Sequence, residues 1–245
     1  AATRPELLAG DFAVLMEPTS AAVEGGCQGT LRFTVTTSGR AAHSARAWMG
    51  HNAIHDAADV LARLRAHEAE QPEVDGLRYH EGLNAVAISG GIAGNVIPDT
   101  CTISVNYRFA PHRSVQQAMD YCRAVLPDHE LTFVDAAAGA RPGLDLPAAA
   151  DFVAAVGGQP TAKFGWTDVA RFSALGIPAL NFGPGDPALA HTRDEHVPLA
   201  QLEPAEFQAA HPSLDAGVLN VLGAERSVAA FTSYGSTAPA EVARQ

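Results

Sequence analysis

The feature that most constrains the fold is the order of periodic segments between residues 31 and 134. Residues 31–39 (LRFTVTTSG) alternate apolar and polar side chains like a half-exposed strand, and residues 52–69 repeat apolar positions at helical spacing. Further patterns predict two strands, a helix that Ser114 can cap, and a last strand, at residues 83–89, 101–109, 114–126 and 130–134. This order is that of the ferredoxin-like βαββαβ unit, which has helices on one sheet face.

The flanking segments have a different pattern. In residues 1–24 the run DFAVLM predicts a buried strand that ends just before Glu17. In residues 139–205, helix and strand signals alternate again. They predict helices at residues 147–156 and 168–175, a short strand at residues 162–164 and a buried strand at residues 177–182. We therefore predict an α/β protein in which one α/β domain is formed by the two flanking pieces. The ferredoxin-like domain, residues 25–138, is inserted between them.

Composition narrows the class of partner. The 16 basic and 27 acidic residues give a net charge of −11, which disfavours nucleic acid and anionic membrane surfaces as partners. No apolar run reaches the roughly 18–20 residues of a membrane helix, and no leader pattern opens the sequence, so we expect a cytoplasmic protein. Cys27, Cys101 and Cys122 are widely spaced and odd in number. They predict buried free thiols rather than disulfides or a thiolate zinc site.

A loop with candidate chemical groups follows the last buried strand. Residues 183–199 (GPGDPALAHTRDEHVPL) contain His191 and His196 together with several acids. Gly and Pro at this density predict a loop, and acids beside imidazoles are typical of a site, although a solvated surface turn has the same composition. Glu17 has two interpretations as well. It is either an ordinary turn acid or a site residue beyond a strand end.

Four smaller motifs each have an ordinary structural interpretation when taken alone. GRAAHS contains His43, GNVIP contains Asn95, NYR ends at Arg108, and GWTD begins at Gly165. Singly they are typical of a surface histidine, a turn, a strand-end cation and a helix cap. In this order, and together with MEPT and AHTRDE, they resemble the cocatalytic zinc metallopeptidase family, which includes N-acyl amino acid deacylases and carboxypeptidases. The resemblance covers about residues 1–205.

The resemblance implies metal ligands and an oxyanion-stabilising group. Glu17 falls at the position of a carboxylate ligand to one zinc, and His191 at that of a histidine ligand to the other. Oxygen and imidazole donors suit Zn²⁺, with Co²⁺ able to substitute. His43 matches a lid-domain histidine that, in this family, reaches across a dimer to stabilise the oxyanion of the tetrahedral intermediate. The inserted domain would then be a lid and dimerisation domain, and we expect a homodimer.

The resemblance also implies a substrate site for a small N-acyl amino acid. Arg108 and Asn95 match groups that hold the substrate's carboxylate and amide, work that suits a guanidinium fork. Gly165 and Thr167 lie in the segment that lines the acyl-side pocket. The motifs resemble most the branch that removes succinate from N-succinyl-LL-2,6-diaminopimelate in lysine biosynthesis. Acetylornithine deacetylases, other N-acyl amino acid deacylases and carboxypeptidases remain alternatives.

The sequence departs from the family at both ends. The family's HxD histidine, bridging aspartate and Glu-Glu pair precede the equivalent of Glu17 and are absent here. We therefore expect an N-terminally truncated chain with about half of a dizinc site, for which a non-catalytic dimerisation fragment is an alternative. Residues 207–245 look like the C-terminal end of argininosuccinate lyase, and we expect two gene pieces joined near Glu206 and Phe207. A lyase function rests on this tail alone, because residues 1–205 lack long helical-bundle patterns.

Overall fold

The computed structural model of the protein describes residues 10–202 and 229–231. The strands of the described residues are β1 Ala13–Leu15, β2 Glu24–Gly25, β3 Gly29–Ser38, β4 Ala42–His43, β5 Glu73–Val74, β6 Leu77–Arg78, β7 Gly82–Gly90, β8 Val96–Ile97, β9 Thr100–Phe109, β10 Leu131–Ala137, β11 Thr161–Ala162, β12 Ala179–Asn181 and β13 Ala229–Phe231. The helices are α1 Ala53–Ala66, α2 Val115–Val125, α3 Pro147–Val156 and α4 Val169–Ala174, with 3-10 helices at Ser44–Met49 and Pro187–Leu189. A further helix begins at residue 199.

Two compact units divide the chain. One, the inserted unit, consists of Gly26–Pro142 together with the short segment Ala162–Trp166. The other, the interrupted unit, contains the described residues up to Gly25, Gly143–Thr161, and the described residues from Thr167 onward. Each unit has its own buried core.

The inserted unit is built on an antiparallel sheet in the order β10-β3-β9-β7. With α1 and α2 between the strands along the chain, this is the βαββαβ topology, so the prediction of an inserted ferredoxin-like fold is confirmed. Side chains of β9 alternate strictly between buried and half-exposed or exposed. The buried side chains of β9 form one core with buried side chains of β3 and of both helices. This core includes Leu31 and Phe33 of β3, Ile103, Val105 and Tyr107 of β9, Val60 and Leu64 of α1, and Ala118 and Cys122 of α2.

Side-chain caps explain where the two helices of the inserted unit begin. The Asn52 side chain accepts a hydrogen bond from the Ile54 N–H at 2.9 Å, at the start of α1. The predicted cap Ser114 is confirmed: it forms a capping box with Gln117 at the start of α2. No helix in the described part of the chain is both long and apolar enough to cross a membrane.

The two ends of the inserted unit's main segment lie side by side and are joined by backbone hydrogen bonds. Cys27 and Ala140 exchange two backbone hydrogen bonds of 3.0 Å in an isolated antiparallel bridge. Gly139 must be glycine here, because a Cβ would lie 2.5 Å from the Cys27 carbonyl oxygen. The segment therefore leaves the sheet where it entered, the arrangement expected of a domain placed inside another.

The interrupted unit is organised around a short mixed sheet, in the order β11-β2-β12-β1-β13. Strand β1 is fully buried and runs parallel to β12, with Leu15 opposite Asn181. Phe152 of α3 packs on this sheet beside Phe12 and Phe182. The range of α3 is as predicted, and Pro147 occupies its first turn, where the missing N–H costs nothing.

Three local differences separate the prediction from the structure. The strand expected at residues 162–164 is Thr161–Ala162, placed by the Thr161 N–H bond to the Val23 carbonyl at 3.0 Å. The two-residue strands are too short to produce a periodic signal. In the tail, Ala229–Phe231 forms a strand parallel to β1, which no pattern in the sequence predicted. The rest of residues 206–245, including the expected junction, lies outside the described residues.

The cysteines generate the first prediction. All three are buried free thiols, as expected, and burial raises the pKa of Cys122 to about 12 and also raises that of Cys101. Because the thiolate is the reactive species, a disulfide reagent at mildly alkaline pH should label none of the three quickly in the folded chain. In concentrated guanidinium chloride it should label all three. Rapid labelling of a folded chain, followed by absorbance, would contradict this burial.

Candidate functional site

The carboxyl ends of two neighbouring parallel strands bring the first candidate residues to one sheet edge. Glu17 lies two residues beyond β1, and the 183–199 loop begins two residues beyond β12. In sheets of this kind, ligands bind outside the carboxyl ends of the strands. The structure therefore places half-buried Glu17 and the start of the histidine-bearing loop side by side.

A glycine allows this close approach. A Cβ at Gly183 would lie 2.5 Å from the Glu17 carbonyl oxygen and 2.9 Å from the Met16 carbonyl carbon. The buried Thr19 side chain locks the contact: its hydroxyl accepts the Gly183 N–H at 3.0 Å and donates to the Gly183 carbonyl at 3.2 Å. Sequence reasoning missed both residues as site-forming groups, although both lie inside motifs that we singled out.

The turn after Thr19 has an uncommon backbone conformation. Ser20 and Ala21 have φ angles of 55° and 58°, in the left-handed region that side-chain-bearing residues rarely adopt. Their N–H groups donate to the carbonyls of Gly185 (2.7 Å) and Gly183 (2.9 Å). These bonds hold the strained turn, and strain of this kind is typical of segments that position functional groups.

His191 also has left-handed backbone geometry, with φ 64°, and its side chain is exposed. Its N–H donates to Glu195 Oε2 at 2.9 Å, so Glu195 braces the histidine's backbone. The His196 ring bonds through Nδ1 to the Asp194 carbonyl oxygen at 2.7 Å. The side chains of Glu195 and His196 thus form hydrogen bonds to backbone groups of the loop itself, whereas the His191 ring faces solvent.

A cavity of about 270 Å³ lies between the two segments. Its lining includes Met16 and Pro18 from the first segment and Pro184, His196 and Val197 from the second. Most of its surface is apolar, with polar groups at few points, which is the usual character of a small-molecule site.

The described residues do not by themselves complete a metal centre. Among them, no group of three or more His, Cys, Asp or Glu side chains is placed to hold a metal ion. Glu17 and His191 are the right donor types for zinc, but zinc in proteins takes about three or four protein ligands. The roles of Glu17 and His191 as ligands therefore stay predictions.

The inserted unit brings His43 and Asn95 together. Strand β4 pairs antiparallel with β8, with His43 opposite Val96, and the Ser44 N–H donates to the Asn95 carbonyl at 2.9 Å. His43 Nδ1 accepts the Ala45 N–H at 3.1 Å. A neutral imidazole that accepts at Nδ1 carries its proton on Nε2, so exposed His43 presents an N–H donor to its surroundings.

Both ends of the His43 loop are pinned to the fold. Arg40 and His51 exchange backbone hydrogen bonds of 2.8 and 2.9 Å. Gly39 is needed beside them, since a Cβ there would lie 2.1 Å from the His51 carbonyl oxygen. Between these anchors all residues of the 3-10 helix Ser44–Met49 are exposed. The loop is therefore a fixed platform rather than a buried element.

Arg108 lies far from this pair. It is next to last in β9, opposite Thr30 and Gly82, whereas the His43 loop adjoins the Thr100 end of the same strand. Arg108 lies eight residue steps along the extended chain from Thr100, a distance of about 27 Å. Arg108 is half-buried and alternates with core-facing Tyr107, so it lies on the sheet face away from the helices.

Gly165 and Thr167 fall in different compact units. Gly165 belongs to the inserted unit, is exposed, and has nothing within 4 Å of its Cβ position. On one side of it the Phe164 ring packs edge-on to His80, with centroids 5.2 Å apart, and on the other the Trp166 indole N–H donates to the Ala138 carbonyl at 3.0 Å. Thr167 is buried in the interrupted unit.

A comparison with known families gives a match within the inserted unit. Residues 26–133 match the peptidase dimerisation domain of the M20 peptidases. The matched residues, which make up almost all of the inserted unit's main segment, are therefore similar to that dimerisation domain. The solved M20 family metallo-carboxypeptidase Sso-CP2 from Sulfolobus solfataricus has the same fold, with a TM-score of 0.62 at 14% identity, over 84% of this chain and 63% of that one.

Named relatives sharpen the resemblance. A Mycobacterium tuberculosis protein named as a succinyl-diaminopimelate desuccinylase, DapE, is 54% identical over 203 residues, which are 82% of this chain and 57% of that protein. The succinyl-diaminopimelate desuccinylase of Corynebacterium glutamicum is 48% identical over 204 residues, 81% of this chain and 55% of that one. The resemblance drawn from the motifs is confirmed. The chain spans about half the length of these curated relatives.

The Gly183 contact generates the second prediction. Gly183→Ala should lower the free energy of unfolding by about 2–3 kcal/mol, because its Cβ would overlap the backbone of Glu17. The matched control is Gly94→Ala, whose Cβ meets nothing within 4 Å and should change stability by less than about 0.5 kcal/mol. Urea unfolding followed by circular dichroism measures both. Equal stability of the two variants would show that the strand ends do not meet as described.

Proposed function

We propose that the chain carries the lid and part of the active site of a cytoplasmic amide hydrolase. The substrate we propose is N-succinyl-LL-2,6-diaminopimelate, an intermediate of lysine and diaminopimelate biosynthesis. The observation that carries this proposal is the 54% identity to the mycobacterial protein named as a desuccinylase. Buried cysteines that form no disulfide, together with a net charge of −11, agree with a reducing compartment and a small-molecule substrate.

His43 is the proposed oxyanion-stabilising group. Amide hydrolysis passes through a tetrahedral intermediate whose oxygen carries negative charge, and a fixed N–H donor stabilises that charge. The hydrogen bond that His43 Nδ1 accepts from the Ala45 N–H leaves the Nε2 proton of His43 available. The backbone hydrogen bonds at both ends of the loop fix the position of the His43 backbone. Asn95 beside it is proposed to bind the amide of the substrate, and Arg108 to pair with a substrate carboxylate.

The separation within the inserted unit favours a dimeric site. About 27 Å of strand lies between Arg108 and the His43 loop, more than one small N-acyl amino acid can bridge. His43 and Arg108 of one copy therefore serve different substrate molecules. A homodimer in which His43 reaches the partner's site satisfies this constraint, and the match to a dimerisation domain supports it.

The edge strand β7 is the proposed dimer surface. It is the outer strand of its sheet, and residues 84–90 are exposed on both faces. Val86 and Ile88 of β7 are exposed, and so are Ile54 and Leu61 of α1, the helix that packs against this strand. An edge with free backbone groups and apolar side chains is suited to antiparallel pairing with a second copy.

Zinc is the metal that we propose for the complete protein. Glu17 and His191 would each contribute one donor, and their oxygen and nitrogen atoms suit zinc or substituted cobalt. The remaining ligands of a two-zinc centre, and the general base, would come from residues other than those described. When bound, the metal pair would supply Lewis acidity at the amide carbonyl.

A second candidate function is a dimerisation module without complete catalytic machinery. It is favoured by the absence of a group of three or more metal-binding side chains among the described residues. Zinc content distinguishes the two functions: a tightly held pair of zinc ions per chain supports a complete site, whereas none or one weakly held ion supports the module.

The catalytic proposal generates a prediction for the chain as it stands. With N-succinyl-LL-2,6-diaminopimelate or N-acetylornithine, and with or without added zinc, we expect little or no turnover, because the described residues supply only two proposed ligands. Release of free amine, measured with a fluorogenic amine reagent, provides the readout. Robust zinc-dependent turnover would show that the missing groups are present after all.

The dimer surface generates another prediction. Val86→Asp should weaken dimerisation at least about tenfold, because it places a charge in the proposed apolar interface. Val134→Asp is the matched control, because Val134 is also a valine, is 65% exposed where Val86 is 62% exposed, and lies on the other edge strand, β10. Light scattering after size exclusion, over a range of concentrations, reports the dimer fraction. A monomeric parent chain, or equal weakening by both variants, would contradict the β7 interface.

A further inference from the structure

A buried carboxylate lies beside the end of the strand that carries Arg108. The Glu81 side chain is only 1% exposed. Its Oε2 accepts the Tyr107 hydroxyl at 2.5 Å, and its Oε1 accepts the Ala110 N–H at 2.9 Å. Tyr107 precedes Arg108 and Ala110 follows it by two residues, so one carboxylate grips the chain on both sides of the arginine.

The same carboxylate also fixes the neighbouring strand. Gly82 follows Glu81 directly and is the partner of Arg108 in the β7–β9 pair. Thr30 of β3 is the partner on the other side. We call the hydrogen bonds of Glu81 to Tyr107 and Ala110 the Glu81 clamp. The backbone of Arg108, which is next to last in β9, is therefore held by the two neighbouring strands and by this clamp.

A closed set of polar partners balances the buried charge. Arg113 Nε lies 3.7 Å from Glu81 Oε1, and Arg113 Nη1 donates to the Tyr107 hydroxyl at 3.1 Å. On its far side, Arg113 pairs with Glu70 at 2.6 Å and stacks over the Tyr121 ring at 4.3 Å. A buried carboxylate is tolerated only with such partners, and an apolar residue there would often be as stable.

Tyr107 is fixed as a donor. Burial, followed by the hydrogen bond to Glu81, raises the pKa of Tyr107 well above its usual range, so the hydroxyl keeps its proton. The Tyr107 ring stacks on Tyr121 on the helix side of the sheet, at 5.4 Å between centroids. Since neighbouring side chains of a strand point to opposite faces, this anchoring directs Arg108 to the other face. No carboxylate of the described residues pairs with the Arg108 guanidinium there.

We propose that Glu81 is a positioning residue for Arg108: by clamping Tyr107 and Ala110, it sets the direction in which the unpaired guanidinium meets a substrate carboxylate. This inference rests on the substrate-binding role of Arg108 given under the proposed function. Glu81 acts through the strand and does not contact the substrate. The two hydrogen bonds that Glu81 accepts from Tyr107 and Ala110 explain why a carboxylate, rather than an apolar side chain, occupies this buried position.

The test follows the Arg108 side chain directly by NMR. The full chain, labelled with ¹⁵N, is titrated with N-succinyl-LL-2,6-diaminopimelate, and the Arg108 Nε–H signal is identified by its absence in Arg108→Lys. In the parent chain the signal should shift and saturate. In Glu81→Gln, which keeps the shape but cannot accept both hydrogen bonds, the dissociation constant should rise about tenfold and the shift should shrink.

Two further variants separate positioning from general support. Glu70→Gln removes the negative charge that pairs with Arg113 on its far side and changes no contact of β9, so its titration should match that of the parent chain. Tyr107→Phe deletes a single hydroxyl of the clamp and should give an intermediate loss, which keeps the test decisive if Glu81→Gln does not fold. Thermal unfolding of each variant is measured alongside, because a merely structural role would lower stability without changing the Arg108 shift at saturation.

The outcomes are distinct. A parent-like dissociation constant and Nε–H shift in Glu81→Gln, or in Tyr107→Phe where the first variant does not fold, overturns the positioning role and leaves the proposed function standing. An Arg108 signal that never responds in the parent chain overturns the carboxylate-binding role of Arg108, and the role of Glu81 with it. Equal losses in Glu70→Gln and Glu81→Gln also overturn the inference, since they would indicate general support of the unit.

Discussion

The structure depends on the parallel pairing of β1 with β12, which joins parts of the chain separated by the whole inserted unit. The hydrogen bonds between Thr19 and Gly183 connect residues 164 positions apart. Closing so long a segment costs conformational entropy, and buried strands with a tight backbone contact at their ends offset it. The same contact places the MEPT segment against the histidine-bearing loop, so the constraint that closes the fold also builds the candidate site.

Much of the fold follows from sequence periodicity. Strands β3 and β9 and helices α1 to α3 are long enough for their burial patterns to repeat, and their positions were predicted to within a few residues. Two-residue strands such as β4 and β8 carry no period. They exist because the His43 loop is pinned at both ends by backbone hydrogen bonds from distant residues, and no local pattern contains that information.

The candidate site was less predictable from local sequence. Its residues were found through the order of family motifs, and that order says nothing about the roughly 27 Å of strand between Arg108 and the His43 loop. Glu81 was missed because YHEGL reads as an ordinary charged turn before a strand. Its burial is decided by Tyr107 near the end of β9 and by Ala110 just beyond that strand, both more than twenty residues later. Long-range contacts of this kind leave no trace in a single sequence.

The joined ends at Cys27 and Ala140 make the inserted unit resemble a removable cassette, but the segment Ala162–Trp166 limits that freedom. Ala162 packs with Val74 and Tyr79 of the cassette, although it is encoded well downstream of Ala140. If the cassette were exchanged between relatives and this segment were not, the segment would pack against a surface from another protein to which its side chains are not matched. Gly165 therefore belongs structurally to the cassette rather than to its neighbours in the chain. Substitutions in the segment Ala162–Trp166 and in the cassette surface that it contacts should be selected together.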